Sequence, residues 1–179
     1  LGPLRLGNVA AEARYRNQGR RFVPISRTTE IEYSRRWDLE DSLTAGEVVR
    51  EIALRYEPVQ NFRLWSELGD FKTGTGTFAS SRRLLRIQLN RPSLPHLDFR
   101  RVQIRKEIPQ KVFRSLWIRD LGTFRYRLWR LEPQVRYEAE EKTTREPSGT
   151  NGGFRFADWR AGVGLQIFRP LTLAYFHTI

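Results

Sequence analysis

Residues 159–175 can be used as extended chain and as little else. Trp159, Ala161, Val163, Leu165 and Ile167 fall on one side of a strand, with Arg160, Gly162, Gly164 and Gln166 on the other; this is the period of two that belongs to β-structure. After Phe168, Arg169 and Pro170 the alternation resumes, with Leu171, Leu173 and Tyr175 set against Thr172 and Ala174. A helix would scatter these apolar side chains around its circumference, so the segment predicts two long antiparallel strands joined tightly.

The same period recurs upstream. Val9, Ala11, Ala13 and Tyr15 oppose Ala10, Glu12, Arg14 and Arg16, and Asn17, Gln18 and Gly19 then supply turn chemistry. Residues 29–37 place Ile31, Tyr33 and Trp37 against Glu30, Glu32, Ser34 and Arg36, with Arg35 interrupting the apolar side. Phe62, Leu64 and Leu68 oppose Arg63, Trp65 and Glu67, and Leu85, Ile87 and Leu89 oppose Arg86, Gln88 and Asn90. From Leu97 and Phe99 the apolar residues shift in phase to Val102 and Ile104, which predicts a bulge at Arg100 and Arg101. A hairpin is expected from Phe124, Tyr126 and Leu128 through a turn near Glu132, Pro133 and Gln134 into Val135, Tyr137 and Ala139, with Arg136, Glu138 and Glu140 opposed. Polar composition predicts loops at 72–81 and 141–153. Two stretches have a double reading. Residues 45–56 follow Thr44 with the form of a capping box, but Ile52, Leu54 and Tyr56 also alternate, and strand is the favoured alternative. Residues 111–118 fit either a short helix or a strand.

Four of the six tyrosines directly follow an arginine, at positions 15, 56, 126 and 137. In a strand that puts Tyr on an apolar face and Arg on a wet one. Arginine dominates the charge: net +12, with only Lys72, Lys106, Lys111 and Lys142 as lysines. Such a balance favours anionic partners, although a coding bias toward arginine produces the same composition. Cysteine is absent, which excludes disulfides and thiolate metal sites. Neither a secretory apolar region nor a run of about 18 apolar residues occurs, a test that a spanning barrel escapes because its strands show alternation alone. With 39% hydrophobic residues over 179 positions, a single β-rich domain spanning 1–179 is expected; Leu1 and the absence of methionine point to a processed protein or a piece of a longer one.

Short connections at 132–134 and 168–170, longer polar ones at 72–81 and 141–153, and aromatic residues near strand ends together resemble a bacterial outer-membrane β-barrel. The row Leu171, Leu173, Tyr175, His177 and Ile179 resembles the last strand of such barrels, departing from it at Ile179, where an aromatic is usual. The resemblance is one of class. It implies an all-β antiparallel up-and-down meander of about 8–11 strands, a barrel or barrel segment in the outer membrane, with transport, pore or assembly roles. Its partners would be membrane lipid or other envelope proteins, and Arg125, Arg127, Arg136 and Arg160 would face anions in the interior. The alternative is a soluble, cytoplasmic β-sandwich or half-open sheet, with one short helix near 45–56, that binds nucleic acid or docks in a large complex.

No catalytic signature accompanies this pattern, and no enzyme, cofactor or metal is expected. His96 and His177 are far apart; His96 and Asp98 would share one side of a strand, but His96 is read as an exposed loop histidine after Pro95 rather than a metal ligand. Gly74, Thr75 and Gly76 beside Lys72 lack phosphate-loop spacing, and Ser80, Ser81, Arg82 and Arg83 lack a nucleophile elbow. Glu138, Glu140 and Glu141 read as solvated or interior charge, Glu138 and Glu140 ion-paired with Arg136 on their own strand face. The Arg-and-aromatic interleaving at 125–130, with the basic run 100–106 that follows Phe99, would suit single-stranded nucleic acid. Alternation, however, puts the two residue types on opposite faces.

Overall fold

The computed structural model describes residues 7–19, 46–73, 78–91, 94–108, 112–146, 148–168 and 171–178. They form nine strands: β1 (Asn8–Gln18), β2 (Glu47–Val59), β3 (Phe62–Thr73), β4 (Ala79–Leu89), β5 (His96–Ile108), β6 (Phe113–Arg125), β7 (Leu131–Arg145), β8 (Asn151–Phe168) and β9 (Leu171–Thr178). Each pairs antiparallel with the next in one all-β, up-and-down sheet, with β1 and β9 at its two open ends. The expected strand at 29–37 and the 74–76 glycine loop lie outside the described residues.

Both double readings resolve to strand. Residues 47–59 pair along β1 and β3, so Ile52 and Leu54 share one face of the sheet while Glu51, Ala53 and Arg55 share the other. A helix could not satisfy two flanking ladders at once. Residues from Phe113 onward pair in the same way with β5 and β7.

Three expectations are corrected. The pairing of β5 runs without a register shift through Arg100 and Arg101, so no bulge is present there. The change of phase arises because Leu97 and Phe99 belong to one face and Val102 and Ile104 to the other, where Val102, Ile104 and Leu84 form a buried cluster with Trp65 and Trp117 against it. The one bulge in the first hairpin lies in β2 between Tyr56 and Val59, at Pro58, where a residue without an N–H costs the ladder least. The β6–β7 turn is at Trp129 and Arg130, closed by mutual Leu128–Leu131 backbone bonds of 2.8 Å, and Pro133 lies inside β7. The loops at 72–81 and 141–153 are also much shorter than their composition suggests: β3 runs to Thr73, β4 starts at Ala79, and β7 and β8 leave only residues 146–150 between them. On β7 itself Glu141, Thr143 and Arg145 take the outward face and Lys142 and Thr144 the other, so neither side of this strand carries apolar residues for the sequence pattern to register.

The two faces of the sheet differ sharply. Register alone places Val9, Tyr56, Leu64, Ile87, Phe99, Gly122, Tyr137 and Trp159 side by side across eight strands. Every member of that row lacks charge, and Tyr137 stacks against Trp159 with ring centroids 4.3 Å apart. The face is apolar but open: Ile52 is 59% exposed, Leu54 46% and Trp159 49%. The opposite face is concave, for side chains of four successive strands converge on it, and it holds the core. Phe71 and Ile104 are 1% and 2% exposed, and Phe71 meets Phe78 edge-on at 5.8 Å.

The apolar band also runs obliquely. On β1 it covers residues 9–15, centred on Glu12, and on β8 it covers 157–165, centred on Ala161. Following register from Glu12 through Ala53, Glu67, Leu84, Val102, Arg119 and Glu140 leads to Phe156, five residues from the centre of the β8 band. At about 3.3 Å per residue and about 4.8 Å between strands, that slip over seven strand steps corresponds to a tilt of roughly 26°.

Candidate functional site

The concave face carries an ionic ladder made by cross-strand neighbours. Arg14 lies 3.8 Å from Glu51, linking β1 to β2, and Arg82 donates to Glu67 at 2.5 Å between β4 and β3. Arg86 donates to both Asp98 oxygens at 3.0 and 2.6 Å, linking β4 to β5. Arg119 donates to Glu138 at 2.6 Å with Glu140 at 3.9 Å, and Glu140 accepts Trp117 Nε1 at 2.8 Å, tying β6 to β7. The bidentate geometry at Asp98 is the strong form of such a pair. Most rungs are half exposed and contribute little each. Arg82 is the exception, its residue only 8% exposed, so its pairing with Glu67 is needed to keep a charge there at all.

At the centre of this ladder the side chains of β3 to β6 enclose a trough of about 490 Å³. Trp65 and Trp117 stand at its two sides, Leu84, Val102 and Leu121 form part of its floor, and the guanidiniums of Arg82, Arg86, Arg100 and Arg119 reach into it. Arg55 lies over the Trp65 ring at 4.4 Å, fixing that indole from behind. Among the described residues Trp65 Nε1 is buried with no acceptor.

Of the arginines expected to face anions, Arg125, Arg136 and Arg160 stand on the concave face, but outside the trough and exposed. Arg125 lies 4.0 Å from Glu132, Arg160 donates to Asp158 at 2.8 Å, and Arg136 is the register partner of Arg160. Arg127 is in the β6–β7 connection, two residues beyond Arg125 and outside both strands. Glu138 and Glu140 are ion-paired, but with Arg119 across the β6–β7 ladder rather than with Arg136 of their own strand, while Glu141 is on the convex face. Both oxygens of Asp98 are taken by Arg86, and His96 meets Asn90 at 3.4 Å, so that pair does not converge on a common point. No cluster of three or more His, Asp or Glu able to hold a metal occurs among the described residues.

Sequence reasoning missed the trough because its lining is gathered from four strands, β3 to β6, and only their register brings it together. The expected separation holds at Phe99 and Arg100, which take opposite faces, but not on β6, where Trp117 and Arg119 share the face that lines the trough. The signal that was present is Trp65, an aromatic grouped by alternation with Arg63 and Glu67 on the polar side of its own strand. No protein-family model matches this chain, and neither a curated protein nor a solved structure shows a significant similarity to it.

Proposed function

We propose that the chain forms a non-enzymatic β-barrel wall, or a segment of one, in a bacterial outer membrane, with a transport, pore or assembly role. Its convex band would lie against lipid and its ionic face would line a polar interior. The observation that carries this reading is the inversion of burial. A sheet in water hides its apolar face and wets its charged one; here the charged Arg82 and Lys106 are sheltered while Ile52, Leu54 and Trp159 stand open.

Dimensions support it. Seven residues of band on β1 and nine on β8, at about 3.3 Å each and tilted by the slip, give a height of roughly 21–27 Å, against the ≈ 25 Å lipid belt of outer-membrane barrels. An oblique band is what tilted strands in a planar bilayer require, although the tilt here is shallower than the usual 35–45°. The ion pair Arg101–Asp120, 3.5 Å apart on the convex face, sits two residues from the centre that the slip gives the band on β5, at Phe99, about 7 Å toward its edge. Backbone groups of the inner strands β2 to β8 are satisfied by neighbouring strands, as hydrocarbon demands, and further wall would have to cover the open edges of β1 and β9.

The absence of cysteine makes a direct test clean. Single Leu85→Cys, Ile87→Cys and Gln88→Cys variants, spin-labelled and folded into phospholipid vesicles, should divide by parity: labels at 85 and 87 broadened by oxygen, the label at 88 by a water-soluble nickel chelate. Equal access of the chelate to all three, or a chain that disperses as a monomer in plain buffer, would overturn the reading.

A further inference from the structure

The geometry points to a specific ligand site in the β3–β6 trough: we propose that it binds a small molecule with one oxyanion head, a carboxylate or phosphate, on an apolar or ring-shaped body. The site rests on the proposed reading only in that the concave face must be open to water.

The charge balance of the trough motivates the head group. Arg82 is answered by Glu67, Arg86 by Asp98, and Arg119 by Glu138 and Glu140. Arg100 has no acid within hydrogen-bond or ion-pair distance among the described residues: Glu67 acts on it only at longer range, against Arg82, Arg86 and Arg119, and its register partner on β4 is Arg86. Two like charges directly opposite are a cost that structure usually avoids. An oxyanion set against Arg100 removes that cost, because the guanidinium fork matches a carboxylate or phosphate in two parallel bonds.

The walls motivate the body. A trough of about 490 Å³ is the size of a small-ligand pocket. Its apolar floor at Leu84 and Val102 gives a bare inorganic ion nothing to bury against, whereas a ring can lie between Trp65 and Trp117. The unsatisfied Trp65 N–H adds a donor at the same wall.

Titrating the folded protein in detergent micelles with phenyl phosphate, and reading tryptophan fluorescence, tests this. Saturable quenching is expected, about tenfold weaker binding of inorganic phosphate competing for the site, and no saturation with benzyl alcohol. Arg100→Gln should weaken phenyl phosphate about tenfold or more, and Arg100→Lys, which keeps the charge but loses the fork, about threefold. Arg105→Gln, on the convex face, should leave binding unchanged. Unaltered affinity in Arg100→Gln, or equal loss in Arg105→Gln, overturns the proposal. Should the Gln variant not fold, unaltered affinity in Arg100→Lys does so instead. Because this readout needs no bilayer, the spin-label parity can fail while binding holds, and the reverse.

Discussion

Leu54→Arg distinguishes a face in lipid from a face in water. Leu54 lies near the middle of the band on β2, is 46% exposed, and has Ala11 and Ser66 as cross-strand neighbours. Both neighbours are small, so a longer side chain meets no steric obstacle and the change reports on the medium outside. Burying a whole leucine is worth about 1.5–3 kcal/mol, so the open half of Leu54 facing hydrocarbon contributes about 1 kcal/mol. Placing a guanidinium there brings the total penalty to about 2–4 kcal/mol at mid-bilayer. In water the same substitution at an exposed position should stay within about 0.5 kcal/mol. The assay is reversible urea unfolding of the protein inserted in short-chain phosphatidylcholine vesicles, with the variant's midpoint compared at equal slope. Ser81→Arg serves as the control, being on the same face beyond the apolar band, between Asp70 and Arg105 in register, and should cost at most about 1 kcal/mol. A Leu54→Arg penalty no larger than that of Ser81→Arg would refute the lipid-facing band.

Other outcomes follow from the packing. Glu67→Gln should cost about 2–4 kcal/mol in the same unfolding assay, since it leaves the sheltered Arg82 without its carboxylate, and adding Arg82→Met should recover part of the loss. Glu138→Gln, facing the half-exposed Arg119, should cost no more than about 1 kcal/mol and less still in 1 M salt. Gly153→Ala and Gly152→Ala form a contrasting pair. A Cβ at 153 would run into the Lys142 carbonyl oxygen of the neighbouring strand, predicting a loss of about 1–3 kcal/mol, whereas one at 152 meets nothing and should be neutral or stabilising by up to about 1 kcal/mol.

The meander was legible in the chain wherever one face was apolar and the other was not. Trp159 to Leu165 alternated because β8 crosses the band over that span, and Arg14, Arg55 and Arg136 preceded tyrosines because each pair straddles the sheet. Where both faces are polar, as at 141–145, the period vanished and strand looked like loop. Where both are partly apolar, as from Phe99 to Ile104, a change of face looked like a bulge. Proline misled at 133 because its composition signals a turn, whereas the turn was made by Trp129 at a φ of 55° and Arg130.

By itself, then, the sequence determined the period and hence the strands, because side-chain parity is a property of consecutive residues. It also determined which residues share a side within each strand. Only the tertiary structure decided what those sides become. Register set Phe99 beside Ile87 and Gly122, and brought Arg86 opposite Arg100. The curvature of the sheet then turned the charged rows inward to form the trough between Trp65 and Trp117 and left the apolar rows outside. Curvature and register are agreements between residues far apart in the chain, which no local alternation encodes.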